Sequence, residues 1–182
     1  EFQARIHGDL LGTVGNFWQR TFSLAAKNHD LIAAYGTDAM HAPDAPSEAL
    51  RDRARLVFDE AGEAIERSEF RRALQITLAL AQDANRYLQD RAPWTRMKDP
   101  TQQQAGAQTI TTACLIGDAL RRLIAPFTPH IADALNTYLG TDDLAWTMPE
   151  TAPLPSTLPT PLVSRIDNTL IAEELEKLTA HA

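Results

Sequence analysis

The 182-residue chain has 24 acidic and 17 basic residues, a formal net charge of −7 at pH 7 and one cysteine. The net negative charge argues against broad, non-specific binding of nucleic acid. A lone cysteine excludes an internal disulfide, so Cys114 is expected to be a small buried thiol in a reducing cytoplasm. Charged residues interrupt every apolar stretch, so the sequence predicts no membrane span and no membrane partner.

The negative charge is concentrated near the carboxyl end. Residues 141–182 contain seven acidic and two basic residues, which accounts for −5 of the total of −7. The first 140 residues are therefore near neutral, and a local basic patch is compatible with them. The chain begins in a helical pattern, without the basic and apolar leader of a signal peptide, which predicts a segment of a longer protein.

Apolar residues recur with helical periodicity in five segments of the first 140 residues, and no alternating pattern typical of a strand competes with it. The first predicted helix covers about residues 2–27. Its apolar stripe lies opposite Asp9, Asn16 and Arg20, which are expected at the surface. The second begins after two prolines, with Ser47 as its starting residue.

The second helix is expected to end near residue 68, and a fourth to span about residues 101–124. A short fifth helix is terminated by Gly140. The third, EFRRALQITLALAQDANRYLQD, ends before Pro93. Its predicted buried residues are Phe70, Leu74, Leu78, Ala81 and Leu88. Together these patterns predict an all-α fold, an antiparallel helix bundle with short connections.

Three parts are predicted along the chain. Residues 1–146 form the helical bundle, residues 147–163 a proline-rich crossing segment, and residues 164–182 a C-terminal helix. The sequence TMPETAPLPSTLPTP contains too many prolines for a helix or a strand. We expect this segment to be ordered only where one of its leucines docks on the bundle: Leu154, Leu158 or Leu162.

The residues that carry chemistry form no recognisable catalytic or metal-binding motif. The five histidines are scattered, with no pair at helical spacing and no cysteine pair beside them, so no metal site is predicted. No glycine-rich phosphate loop, nucleophile elbow or His-Glu-x-x-His motif is present. We therefore expect no catalytic residue and no bound cofactor in this segment.

Trp94 follows Pro93 among cationic residues, in the stretch RAPWTRMKDP where the third helix stops. A tryptophan there can fill the core or be displayed to a partner. Asn16 and Arg20, four residues apart, share one patch of the first helix. This patch can be a binding surface or simply solvated surface. Asn85 lies at the rim of the apolar arc of the third helix and is expected to make a structural hydrogen bond.

Three motifs in order and spacing resemble the anticodon-binding domain of methionyl-tRNA synthetase. They are GDLLGTVGNFWQRT (8–21), ANRYLQDRAPW (84–94) and LIAPFTPHIADALNTYLG (123–140), and PLVSRID (161–167) resembles the segment that follows the domain in bacterial members. The resemblance implies a helix bundle of the class I aminoacyl-tRNA synthetase anticodon-binding type. It also implies recognition of the CAU anticodon of methionine tRNA.

The resemblance further implies three site residues. The family's anticodon-reading asparagine and arginine, four apart on the first helix, match Asn16 and Arg20. The tryptophan that follows Ala-Pro and stacks on an anticodon base matches Trp94, which we expect to be substantially exposed in the free domain. Independently of the family, the charges of Arg96 and Lys98 favour contacts with the RNA backbone.

The ATP-handling signatures of the family's catalytic domain, His-x-Gly-His and Lys-Met-Ser-Lys-Ser, are absent. The resemblance therefore implies that ATP and the ligation of methionine to tRNA belong to a separate catalytic domain of a cytoplasmic parent. This segment is expected to be inactive by itself. Two alternatives remain at this point: a free-standing tRNA-binding paralogue, and a helical interaction domain without RNA binding, which the acidic balance mildly favours.

Overall fold

The computed structural model describes residues 12–35, 43–160 and 177. Within these residues all regular secondary structure is helical, which confirms the predicted all-α fold. The helices are α1 (Asn16–Lys27), α2 (His29–Tyr35), α3 (Ala45–Glu66), α4 (Phe70–Arg91), α5 (Pro93–Arg96), α6 (Gln103–Ile124) and α7 (Pro129–Leu139). The predicted end of the short helix at Gly140 is confirmed, since this glycine adopts left-handed backbone at φ 67°.

Helix α6 is the centre of the bundle. It packs against each of the other six described helices. From Gly106 to Ile124 every residue except Gln108 is buried, including Cys114 as predicted. A helix that is buried on all sides belongs to the interior of a domain, and the amphipathic helices around it turn their apolar faces inward.

Helices α3 and α4 form a hairpin joined by residues 67–69. The prediction that Ser47 starts α3 is wrong, because the cap is Asp44, whose carboxylate accepts a hydrogen bond from the Ser47 amide at 3.1 Å. The Ser47 hydroxyl is instead buried, 2.5 Å from the same carboxylate and 2.8 Å from the hydroxyl of Tyr87 on α4. Ser47 therefore ties the two helices together.

The predicted burial of Phe70 is also wrong, since 55% of this residue is exposed. Phe70 is the first residue of α4, and the buried face of that helix begins one turn later, at Ala73. Helical periodicity identifies the apolar face of a helix, but it does not show how far along the helix a packing partner extends.

Two buried arginines of α6 hold the segment that follows α7. Arg121 donates to Asp118 at 2.7 Å and to the carbonyl of Asp143 at 2.6 Å, and it also contacts the side-chain oxygen of Asn136. Arg122 pairs with the Asp143 carboxylate at 2.8 Å. Because buried guanidinium groups need partners, these contacts fix the chain at residue 143 against the centre of the bundle.

Residues 141–160 have no regular secondary structure and return towards α1. Leu154 packs against the core, whereas Leu158 is exposed. Buried Pro159 accepts a hydrogen bond from the Gln19 side chain of α1 at 3.4 Å. Leu162, the predicted helical residues before Gly12, and the predicted C-terminal helix apart from Lys177 lie outside the described residues.

Candidate nucleic-acid interface

Trp94 lies where α4 gives way to α5. The last turn of α4 is closed by Ala92, whose backbone is left-handed at φ 41° and ψ 56° and whose amide donates to the Leu88 carbonyl at 3.0 Å. Buried Pro93 then begins α5, a single turn packed against α6. Such backbone costs a non-glycine residue about 1–2 kcal/mol, so the surrounding packing holds it in place. The indole of Trp94 is half-buried, so the prediction that this residue is substantially exposed in the free domain is wrong.

The fold brings Arg20 and Trp94 together. The guanidinium carbon of Arg20 lies 5.2 Å from the centre of the Trp94 ring, within the range of a cation–π contact. Arg20 also donates to the side-chain oxygen of Gln89 on α4 at 3.5 Å. Arg20 is therefore half-buried and held from two sides, more constrained than the solvated surface residue that the helical pattern alone describes.

Asn16 lies one helical turn before Arg20 and is exposed. In the part of the chain that the structure describes, its side chain has no hydrogen-bond partner. An unpartnered carboxamide presents two donors and an acceptor to solvent. Asn16 and Arg20 thus share the predicted face of α1, with Asn16 beyond the pair formed by Arg20 and Trp94.

A shallow pocket of about 340 Å³ opens beside this pair. Its lining combines one aromatic ring, one apolar side chain, one hydroxyl and two cations: Trp94, Leu24, Ser23, Arg20 and Lys27. Volumes of this size accommodate small planar ligands, and ligand pockets typically combine apolar walls with a few polar groups. The pocket can therefore hold a flat ring with nearby negative charge.

The pocket is lined by two cations and no acidic residue, although the chain as a whole is acidic. Residues 12–27 contain Arg20 and Lys27 but no acidic residue, and residues 91–98 contain three cations and no acidic residue. Of those three, Arg91 pairs with Asp44, while half-buried Arg96 and exposed Lys98 stand beyond Trp94. The cations that line the pocket therefore favour contact with a negatively charged ligand.

Among the described residues no cluster of three or more metal-ligating side chains occurs, and none of their helices is long and apolar enough to span a bilayer. Burial also raises the pKa of the Cys114 thiol well above its ordinary value, so this cysteine is neutral and unreactive.

A model of the family described as the anticodon binding domain of methionyl tRNA ligase matches residues 39–173. The chain belongs to this family. Among its curated relatives, the methionine–tRNA ligase of Saccharopolyspora erythraea is 32% identical over 140 residues, covering 77% of this chain and 22% of the relative. That of Salinibacter ruber is 31% identical over 203 residues, covering 100% of this chain and 27% of the relative. The chain thus spans about a quarter of the length of these ligases.

Solved structures agree on the fold of this anticodon-binding domain. The apo form of Mycobacterium tuberculosis methionyl-tRNA synthetase superposes with a TM-score of 0.76 at 22% identity, covering 91% of this chain and 34% of that one. The same enzyme bound by methionyl-adenylate gives a TM-score of 0.71 at 23% identity, covering 88% of this chain and 32% of that one. At these identities the likeness establishes the helical architecture.

Sequence reasoning missed three residues around the pocket of this domain: Ser23, Leu24 and Lys27. Their spacing from Arg20 is three, four and seven residues, which places them on one helical face. That spacing was available in the sequence, but it became informative only once Trp94 was known to lie beside Arg20. The supporting role of Gln89 had no sequence signal, because it depends on how α4 crosses α1.

Proposed function

We propose that this domain reads the CAU anticodon of methionine tRNA, and that a separate catalytic domain of the same cytoplasmic protein uses ATP to join methionine to that tRNA. The observation that carries the proposal is the contact between Arg20 and Trp94 above the pocket, with the guanidinium 5.2 Å from the ring centre. Membership of the family supports it.

The pocket suits an unpaired base. RNA-binding proteins recognise single-stranded loops by stacking splayed bases on aromatic rings and on the planes of arginine guanidinium groups. A base that enters beside Trp94 and Arg20 meets both kinds of planar surface, and Leu24 supplies apolar contact. Stacking of this kind contributes about 1–3 kcal/mol per base. Because Trp94 is half-buried and follows buried Pro93 in α5, its ring is kept in place before binding.

Arg20 and Asn16 supply a means of choosing cytosine over uracil. Arginine only donates hydrogen bonds, and cytosine presents acceptors at N3 and O2, whereas uracil carries a hydrogen at N3. A uracil opposite Arg20 would leave two donors facing each other, which is unfavourable because desolvated polar groups would remain unpaired. Asn16 both donates and accepts, so it can complement the remaining polar group of the base edge.

The remaining cations would contact the phosphate backbone. Lys27 lines the pocket, and Arg96 and Lys98 follow Trp94 on the next turn of chain. Phosphate contacts position an RNA without reading its sequence. In this scheme the bases are read by Trp94, Arg20 and Asn16, and the strand is held by the surrounding charge.

Titration of a fluorescently labelled anticodon stem-loop with the 182-residue chain tests the proposal. We expect a CAU loop to bind more tightly than a UAU loop that differs only at the first anticodon position. Equal affinity for the two loops would contradict anticodon reading, and no binding to either would favour the interaction-domain alternative. Sequencing the gene upstream of Glu1 distinguishes a ligase from a free-standing paralogue, because a ligase must encode a class I nucleotide-binding domain there.

A further inference from the structure

Two amide side chains of α4 contact the first helical segment, one in the turn before α1 and one within α1. The Asn85 side-chain nitrogen donates to the Thr13 carbonyl at 2.9 Å, and the Gln89 side-chain oxygen accepts from Arg20 at 3.5 Å. Asn85 and Gln89 are four residues apart, so they share one face of α4. Thr13 lies in the turn that leads into α1, and Arg20 lies on the second turn of α1. One face of α4 therefore contacts both the turn that leads into α1 and the Arg20 side chain.

We propose that Asn85 and Gln89 are a positioning pair, which sets where Asn16 and Arg20 stand relative to Trp94 and thereby determines anticodon discrimination. The proposal rests on the proposed function, since it concerns how the same site is ordered before RNA arrives. Neither amide needs to contact the RNA for this role.

The orientation of the Asn85 carboxamide is determined by its surroundings. Its nitrogen donates to two backbone carbonyls, those of Thr13 and Ala81, each at 2.9 Å. Because both partners are acceptors, the nitrogen must face them and the oxygen must point away. That oxygen is buried and has no hydrogen-bond partner among the described residues. A buried acceptor without a partner is unfavourable, so packing alone does not account for an amide at this position.

The Thr13 carbonyl belongs to an irregular stretch of helix. Residues 12–15 wind as a π-helical turn immediately before α1 begins at Asn16. A π-turn changes the rotation of the residues that follow it, and such turns occur frequently at functional sites. By donating a hydrogen bond to a carbonyl within this turn, Asn85 fixes the direction in which the side chains of Asn16 and Arg20 project from α1.

Gln89 acts further along the chain, on the Arg20 side chain of α1. Without Gln89, the long Arg20 side chain would be held, among the described residues, only by its contact with the Trp94 ring. A side chain that must be ordered during binding weakens affinity by about 2- to 12-fold, from the usual 0.5–1.5 kcal/mol per side chain. Gln89 is itself exposed, so its removal leaves the core untouched.

The decisive variant is Gln89→Ala, compared with Gln75→Ala on the same helix. Gln75 is also exposed, and fourteen residues of α4 place it about 21 Å from Gln89. We expect Gln89→Ala to keep the melting temperature, to bind the CAU stem-loop about 2- to 12-fold more weakly, and to lose part of the preference for CAU over UAU. Gln75→Ala should change none of these.

Asn85→Asp supplies the second test, because the carboxylate has the same shape but repels both carbonyls. We expect its preference for CAU over UAU to fall further than in Gln89→Ala. In the free protein, the NMR ring-current shift of the Arg20 side-chain protons should also diminish in both variants, which does not depend on RNA. Unchanged shifts and an unchanged CAU preference in Gln89→Ala would overturn the proposal, whether or not Asn85→Asp folds. If the unaltered chain shows no CAU preference, the proposed function itself fails.

Discussion

Ala92 and Ser68 adopt the same left-handed backbone conformation at opposite ends of α4, with φ values of 41° and 60°. Ser68 lies in the exposed connection that leads into the helix, and Ala92 closes the helix immediately before Trp94. Neither is a glycine, although glycine adopts this conformation without steric cost. The backbone is strained in the same way at both positions, but only Ala92 lies at the candidate interface.

Replacing each of them with glycine separates stability from function. We expect Ala92→Gly and Ser68→Gly each to raise the free energy of unfolding by about 0.5–1 kcal/mol, since relief of strain exceeds the entropy cost of glycine. Ala92→Gly should nevertheless bind the CAU stem-loop more weakly, because the backbone that positions Trp94 becomes more flexible. Denaturant unfolding and stem-loop titration measure the two effects. Equal RNA affinity in both variants would show that the rigidity of this turn is irrelevant to binding.

Substitutions of Arg20 can separate the contribution of its charge from that of its planar guanidinium group. Arg20→Lys keeps the positive charge but loses the planar group that lies over Trp94 and donates in a fixed geometry. We expect both Arg20→Lys and Arg20→Ala to lose the preference for a CAU over a UAU stem-loop, and Arg20→Ala to lose more affinity. The melting temperature should change little in either, because a cation–π contact contributes only about 0.5–1 kcal/mol at an exposed site and about 2 kcal/mol when desolvated, and this pair is half-buried. A lysine variant that discriminates fully would assign Arg20 to phosphate binding.

The helical fold could be predicted from the sequence because apolar periodicity is a local property. The face of α1 that carries Asn16 and Arg20 followed from the same periodicity, whereas Trp94 was assigned to the site only through the resemblance to the family. The contact between Arg20 and Trp94 could not be predicted this way, because it depends on the crossing of α1 over the end of α4.

The burial of an individual side chain depends on its packing partners, which the sequence pattern does not show. Phe70 belongs to the apolar pattern but lies beyond the reach of its neighbours, so it is exposed. Arg121 and Arg122 carry charges that usually lie at a surface, yet both are buried, because Asp118 on the same helix and the chain near Asp143 satisfy them. In both cases the partner, not the residue type, determines burial.

Lys27 provides a test of backbone contact. None of the ion pairs among the described residues includes this exposed lysine, which lines the pocket. One phosphate contact on a single strand contributes about 0.7 to the slope of log affinity against log salt. We expect Lys27→Ala to reduce that slope by about this amount. Arg72→Ala, an exposed charge at the other end of α4, is the control, and an equal change of slope in both would indicate a diffuse charge effect.

Asp44 should make stability depend on pH. Burial works to raise the pKa of this carboxyl, but hydrogen bonds from Ser47 and the charge of Arg91 outweigh it and lower the pKa below the ordinary value. A lowered folded pKa stabilises the fold above the unfolded pKa, and this contribution is lost as pH falls through the folded value.

Asp44→Asn retains the helix cap but loses the charge. We expect it to cost up to about 1 kcal/mol at pH 7, as partly exposed ion pairs do, and to unfold with less pH dependence between about pH 5 and pH 3. Asp44→Ala, which also removes the cap, should cost about 0.5–2 kcal/mol for the cap alone. Thermal unfolding across this range measures both, and parallel pH curves for the parent and Asp44→Asn would contradict the pairing with Arg91.

Trp94→Ala distinguishes display from core filling most directly. Removing a fully buried aromatic residue costs about 3–5 kcal/mol of folding stability, whereas the half-buried Trp94 should cost less. Its role in stacking predicts instead a loss of about 1–3 kcal/mol in binding of the CAU stem-loop.

Labelled RNA is the better probe of this variant than intrinsic fluorescence, because the chain has two other tryptophans with structural roles. Buried Trp18 donates to the Gly117 carbonyl at 2.9 Å, and Trp146 donates to the Phe58 carbonyl at 3.0 Å, so replacing them would disturb the fold. Trp94→Phe completes the series, since a smaller ring retains part of the stacking surface. We expect affinities in the order Trp, Phe, Ala. A stably folded Trp94→Ala protein that binds the stem-loop as tightly as the parent would exclude stacking on this ring.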